Sequence, residues 1–172
     1  MIKFIGAGIV LITSSLIGYL YGENLKKRVN NLKEFERSMY HLKNEISYSH
    51  SLLYQAFSTV AERSKEPVNK VFIHISKSLE EGVCDSVYDA FYKAFEKYKQ
   101  ELLFLKEDVD IFLNLSKTLG EINLDSQEDM FELSIMNLKK NIENGEEKLK
   151  KNLKMYRYLG FTIGAMITII FI

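Results

Sequence analysis

Residues 4–22 read FIGAGIVLITSSLIGYLYG, and Lys26, Lys27 and Arg28 follow almost at once. The run holds no charged side chain and is long enough at helical rise to cross a hydrocarbon core. Its cations stand after it, whereas a secretory signal carries them before its apolar region; here only Lys3 precedes the run. A retained anchor therefore reads better than a cleaved leader. The positive-inside rule then keeps the following chain in the cytoplasm and the N-terminus outside.

The pattern past the membrane run says helix. Leu25, Leu32, Met39 and Ile46 recur every seven residues, and Phe35 and Leu42 each lie three after one of them. This is a narrow apolar stripe with Lys, Glu, Arg and Asn on the other faces, so one helix is expected from the membrane to about Tyr48. A second is expected over 52–63 with Leu53, Ala56, Phe57, Val60 and Ala61 inward, Ser51 placed to cap it and Pro67 marking the boundary with the next. A third follows over 68–81 (Val71, Phe72, Ile75, Leu79), stopped by Gly82, and a fourth over 87–98 (Val87, Phe91, Ala94, Phe95), capped by Asp85 or Ser86. Residues 102–119 form a fifth, with Leu102, Leu105, Val109, Phe112 and Leu115 in step and Gly120 as its stop.

The sixth helix is expected to start near Ser126, with Asp129 placed as the acid of a capping box. Phe131, Ile135, Leu138, Ile142, Leu149 and Leu153 carry its stripe across Gly145, a soft spot. Lys148, Lys150, Lys151, Lys154 and Arg157 lead into an apolar end, 158–172. As a helix that end is about 22 Å long, short of a ~30 Å hydrocarbon core unless Arg157 snorkels and the bilayer thins. The alternative is a terminal helix buried in the core or lying on a surface. The expected fold is thus all-α, a small antiparallel bundle of about six helices with transmembrane helices at both chain ends. Its parts are an anchor over 1–23, a cytoplasmic bundle over 24–155 and a second span over 156–172.

Composition excludes several kinds of function. The 172 residues carry 23 Lys and Arg against 23 Asp and Glu, so no net charge draws the chain to nucleic acid. Cys84 is the single cysteine, which rules out an internal disulfide and a paired-cysteine metal site. Phosphate-loop, nucleophile-elbow and HExxH motifs are missing. His41, His50 and His74 stand apart and read as surface residues; Glu80 with Glu81, and Asp108 with Asp110, read as solvated charge. Glu45, beside the apolar stripe and followed by Ile46 and Tyr48, reads as a half-buried acceptor before a general base, since no paired acid, nucleophile or metal set accompanies it. The basic clusters mark topology and fit anionic headgroups. Gly18 with Gly22 and Gly160 with Gly164 allow close helix approach within one chain or between chains, leaving a homo-oligomer open. No cofactor or metal is expected.

Residues 42–56, LKNEISYSHSLLYQA, resemble the stage III sporulation protein AB family of endospore-forming bacteria. Leu42, Glu45, Ile46, Tyr48, Leu53 and Ala56 stand at the family's pattern positions, while Ser51 and Leu52 replace a frequent Thr-Pro. Pro67-Val68 with Phe72, Leu119-Gly120 with Asp125 and Gln127, and the closing Tyr158-Leu159-Gly160-Phe161 also match, so the resemblance spans the chain. It implies a component of a mother-cell membrane complex, encoded with seven companions, that joins mother cell and forespore. The family is similar to the inner-membrane platform protein F of type II secretion and type IV pilus machines, whose cytoplasmic part is a small antiparallel bundle. By that likeness the partners are a cytoplasmic secretion-type ATPase, the other proteins of the stage III sporulation A operon, and membrane lipid. The implied role is non-enzymatic coupling of the ATPase to a channel complex at the mother-cell membrane. No catalytic residues carry over; Leu42, Glu45, Ile46, Tyr48, Leu53, Pro67 and Gly120 are implied to support the fold or meet a partner. A membrane-tethered binding or sensor module is the competing reading.

Overall fold

A computed structural model describes the backbone of residues 2–48, 52–119 and 124–171, and the side chains of 22–47, 52–119 and 127–151 together with Thr13, Leu16, Leu20 and Thr162. The described residues form six α-helices and no strand: α1 (Ile2–Tyr48), α2 (Leu53–Arg63), α3 (Val68–Glu80), α4 (Val87–Leu102), α5 (Lys106–Thr118) and α6 (Leu124–Phe171). The chain divides into two compact units, one of residues 28–142 and one of 1–27 with 143–172. The first is the bundle. In it α2 packs on α3, α3 on α4 and α4 on α5.

Its core follows from the stripes. Leu32, Phe35, Met39 and Leu42 of α1 are buried, as are Ala56, Phe57, Val60 and Ala61 of α2 and Val68, Val71, Phe72 and Ile75 of α3. Phe91, Ala94 and Phe95 of α4, Phe112 and Leu115 of α5, and Phe131, Ile135, Leu138 and Ile142 of α6 complete it. Phe35 sits among aromatic rings, its centroid 4.2 Å from Phe112, 4.9 Å from Phe72 and 5.7 Å from both Phe95 and Phe104. Such tilted and edge contacts add to the area that each ring removes from water.

Turns are made by local polar groups. Ser86 caps α4, its hydroxyl accepting the Asp89 N–H at 3.1 Å. Gly82, at φ +65°, ends α3 in the left-handed conformation that glycine adopts without a Cβ penalty. Between α2 and α3, α1 holds the turn: Glu34 accepts the Lys65 N–H at 2.8 Å, and the Ser38 and Ser64 hydroxyls meet at 2.7 Å. Pro67 follows a cis peptide bond in that turn.

Two expectations are corrected. Transmembrane helices at both chain ends are not found: among the described residues, no helix is long and apolar enough to cross a membrane. The described parts of the two long helices, 22–47 and 127–151, carry charge on almost every turn, as a bundle helix with one solvated face must. The runs 4–22 and 158–172 lie, in their side chains, outside the described residues except for Thr13, Leu16, Leu20 and Thr162. Second, Leu102 to Leu105 do not open α5. α4 runs on to Leu102, and Leu103 (φ 59°) turns the chain before α5 starts at Lys106, which leaves Leu105 46% exposed rather than inward. The residue that precedes α2 is Leu52, which gives no side-chain cap. Ser51, Gly120 and the side chain of Ser126 lie outside the described residues.

Candidate functional site

The cations of 26–28 and the acids that read as solvated charge part company in the structure. Lys26 and Lys27 are exposed, but Arg28 points into the bundle and is 5% exposed. Its Nε and Nη2 donate to Asp108 Oδ2 and Oδ1, each at 2.8 Å, and Asp108 is wholly buried. Asp108 also accepts the Leu105 N–H at 2.8 Å and Asn141 Nδ2 at 2.9 Å. Three neighbours from α1, α6 and the start of α5 thus surround one carboxylate, and Arg28 meets the exposed Glu107 at 3.5 Å as well. Asn31, one turn on, donates to the Glu101 and Leu102 carbonyls at 3.1 and 3.0 Å, satisfying the last turn of α4 where the chain breaks. A buried pair with every partner in place fixes register more than it adds stability. This network is scaffold.

The other anticipated residues sit mostly at the far end of α1. Leu42 is buried, Ile46 and Leu53 pack half-buried against the core, and Pro67 is half-buried in its turn. Glu45 lies 3.7 Å from Arg63 of α2, an ion pair across two helices. The Tyr48 side chain and Gly120 fall outside the described residues, as do the side chains of Lys154 and Arg157; Lys148, Lys150 and Lys151 are exposed.

Two surface features remain. Between α1 and α6 runs a groove of about 700 Å³ whose floor is Ile46, Phe131 and Ile135 and whose walls include Tyr40, Lys43, Met136 and Lys139. Lys43 bridges Glu128 at 2.9 Å and Glu132 at 3.1 Å, and those two acceptors, Glu128 foremost, hold its ammonium above the usual lysine range. Lys139 lies over the Tyr40 ring at 5.6 Å and 3.9 Å from Glu36. On the other feature, α3 and α4 flank a shallower cleft lined by His74, Lys77, Ser78, Glu81, Val83, Cys84 and Lys93. Burial, then Lys97 and Lys93, push the His74 imidazole below its usual pKa, and its Nδ1 lies 3.3 Å from the Ser78 hydroxyl. Lys93 is held by Asp89 at 2.7 Å and reaches Cys84 Sγ at 3.6 Å. Among the described residues no group of three or more His, Cys, Asp or Glu converges to hold a metal.

Among the described residues, fold and surface together define an all-α bundle with an apolar, aromatic centre and charged, partly apolar surface clefts. The chain belongs to the stage III sporulation protein AB family, whose sequence model matches residues 3–172, and so to the proteins of sporulation. Stage III sporulation protein AB of Bacillus subtilis (strain 168) is 25% identical over 170 residues, covering 99% of each chain. A solved structure of stage III sporulation protein AB superposes with a TM-score of 0.66 at 24% identity, over 72% of this chain and 96% of that one, which shows the shared fold.

Proposed function

We propose that this protein is a non-enzymatic component of the complex joining mother cell and forespore, where it couples a cytoplasmic secretion-type ATPase to the other stage III sporulation A-operon proteins at the mother-cell membrane. The family match over residues 3–172 carries this reading, through the family's likeness to platform proteins. The surface agrees with a life in protein contacts. Val83 is 63% exposed in the cleft beside Lys77 and Lys93, and Tyr88 and Tyr92 of α4 are 37% and 49% exposed. Tyrosines and isolated apolar groups among cations suit a partner surface with acidic residues. Exposed Lys26, Lys27, Lys148, Lys150 and Lys151 are available to anionic headgroups. A sensor module would need an internal polar cavity, whereas the centre here is filled by phenylalanine rings.

The test is affinity capture with the tagged full chain from sporulating cells. Recovery of the operon's ATPase is expected, and a Lys77→Glu/Lys97→Glu chain should lose it while keeping its helical signal and melt. Capture of the other operon proteins without the ATPase, by a folded wild-type chain, would defeat the coupling role.

A further inference from the structure

The exposed side of α6 carries a pattern that the bundle itself does not use. Phe131, Ser134, Ile135, Leu138 and Ile142 face the core, and Asp129, Glu132, Leu133, Met136, Asn137 and Lys140 face out. Leu133 is 46% and Met136 60% exposed, and Tyr40 of α1, 42% exposed, shares the groove with Met136. Asp129, Leu133, Met136 and Lys140 are spaced four, three and four apart, the spacing by which one helix seats against another. The outward face therefore has an acidic turn at one end, an apolar middle and a basic turn at the other.

That polarity decides the occupant. A lipid surface would be repelled by the acidic turn, and a uniformly acidic or basic partner would satisfy one end and oppose the other. A second copy of the same face, turned end for end, satisfies both at once. We propose that the outward face of α6 from Asp129 to Lys140, with Tyr40 of α1 beside it, is the contact surface of an antiparallel two-fold pairing between two copies of this chain.

In that arrangement Leu133 of one copy packs against Met136 of the other. Asp129 meets the second copy's Lys140, and Glu132 lies on the flank toward the second copy's Lys139. Each contact occurs twice, as the symmetry of a two-fold interface demands. The groove between α1 and α6 leaves room beside Met136 for the incoming side chains.

The experiment co-expresses two differently tagged full chains, both carrying Cys84→Ser, one with Leu133→Cys and the other with Met136→Cys. Mild oxidation should yield a disulfide-linked pair holding both tags. A Lys77→Cys chain, on the far α3 surface, should yield none with either. In the same cross-linking background, Asp129→Lys or Lys140→Asp in both copies should lower the yield roughly tenfold, because two attractions become two repulsions. Combining them as Asp129→Lys/Lys140→Asp should restore it, since the reversed charges again face each other; a disruption of folding would not be rescued. Cross-linking no better than the Lys77→Cys control, capture of a different protein by the Leu133→Cys chain, or failure of the double reversal to rescue would each overturn the pairing.

Discussion

Arg28 and Asp108 show how much a residue's meaning depends on what the fold brings to it. In sequence Arg28 closes a run of three cations and Asp108 sits in a polar stretch, so each reads as surface charge; eighty positions apart, neither signals the other. In the structure the pair is buried and two further donors reach the same carboxylate. Replacing one partner strands a charge away from water. Asp108→Ala should cost about 3–5 kcal/mol in urea unfolding, and Arg28→Met/Asp108→Leu together less than Asp108→Ala alone, with exposed Lys26→Ala within roughly 0.5 kcal/mol of wild type. His74 gives a pH signature. Its folded pKa lies below the ordinary 6.5, through burial first and then Lys97 and Lys93. The unfolded chain thus binds the proton more readily, so this residue's contribution is complete above that value and is lost as pH falls below it. Wild-type stability minus that of His74→Gln should accordingly decline on acidification, and a flat difference in melts across the histidine range would place the imidazole in water.

Helices were legible where periodicity and breakers agree. The stripes of α1, α3 and α6 fall on buried faces over 32–42, 71–75 and 131–142, and Gly82 and Ser86 stand where a stop and a cap were expected. The turn between α4 and α5 was not legible, because Leu103 to Leu105 offer neither glycine nor proline and continue an apolar spacing. One determinant comes from afar, Asn31 of α1 donating to the Glu101 and Leu102 carbonyls, and one is local, Asp108 accepting the Leu105 N–H. Of the candidate surfaces the sequence showed still less, since the groove joins α1 to α6 across some ninety positions. Gly82 allows a clean test of a signal that was readable. An added Cβ there meets no atom within 4 Å, so only the backbone at φ +65° is strained. Gly82→Ala should lower stability by about 1–2 kcal/mol, and Gly82→Asn by less, because Asn tolerates the left-handed region better.

At the scale of the molecule, every buried apolar side chain among the described residues lies between Val29 and Ile142, within one compact unit. The Arg28–Asp108 pair and the Phe35 cluster fall inside the same unit, residues 28–142. If the apolar core drives folding, the end segments are dispensable for it, and residues 24–147 should fold alone. Circular dichroism should show a helical spectrum and one cooperative thermal transition. Phe35→Ala in that fragment removes the ring on which Phe72, Phe95, Phe104 and Phe112 converge and should cost about 3–5 kcal/mol. For a domain of this size that lowers the melting temperature by roughly 10 °C or more. A broad, non-cooperative melt of the unsubstituted fragment would mean that 1–23 and 148–172 supply part of the stabilising free energy, and the bundle would then have to be treated as unable to hold its fold without the two ends of the chain.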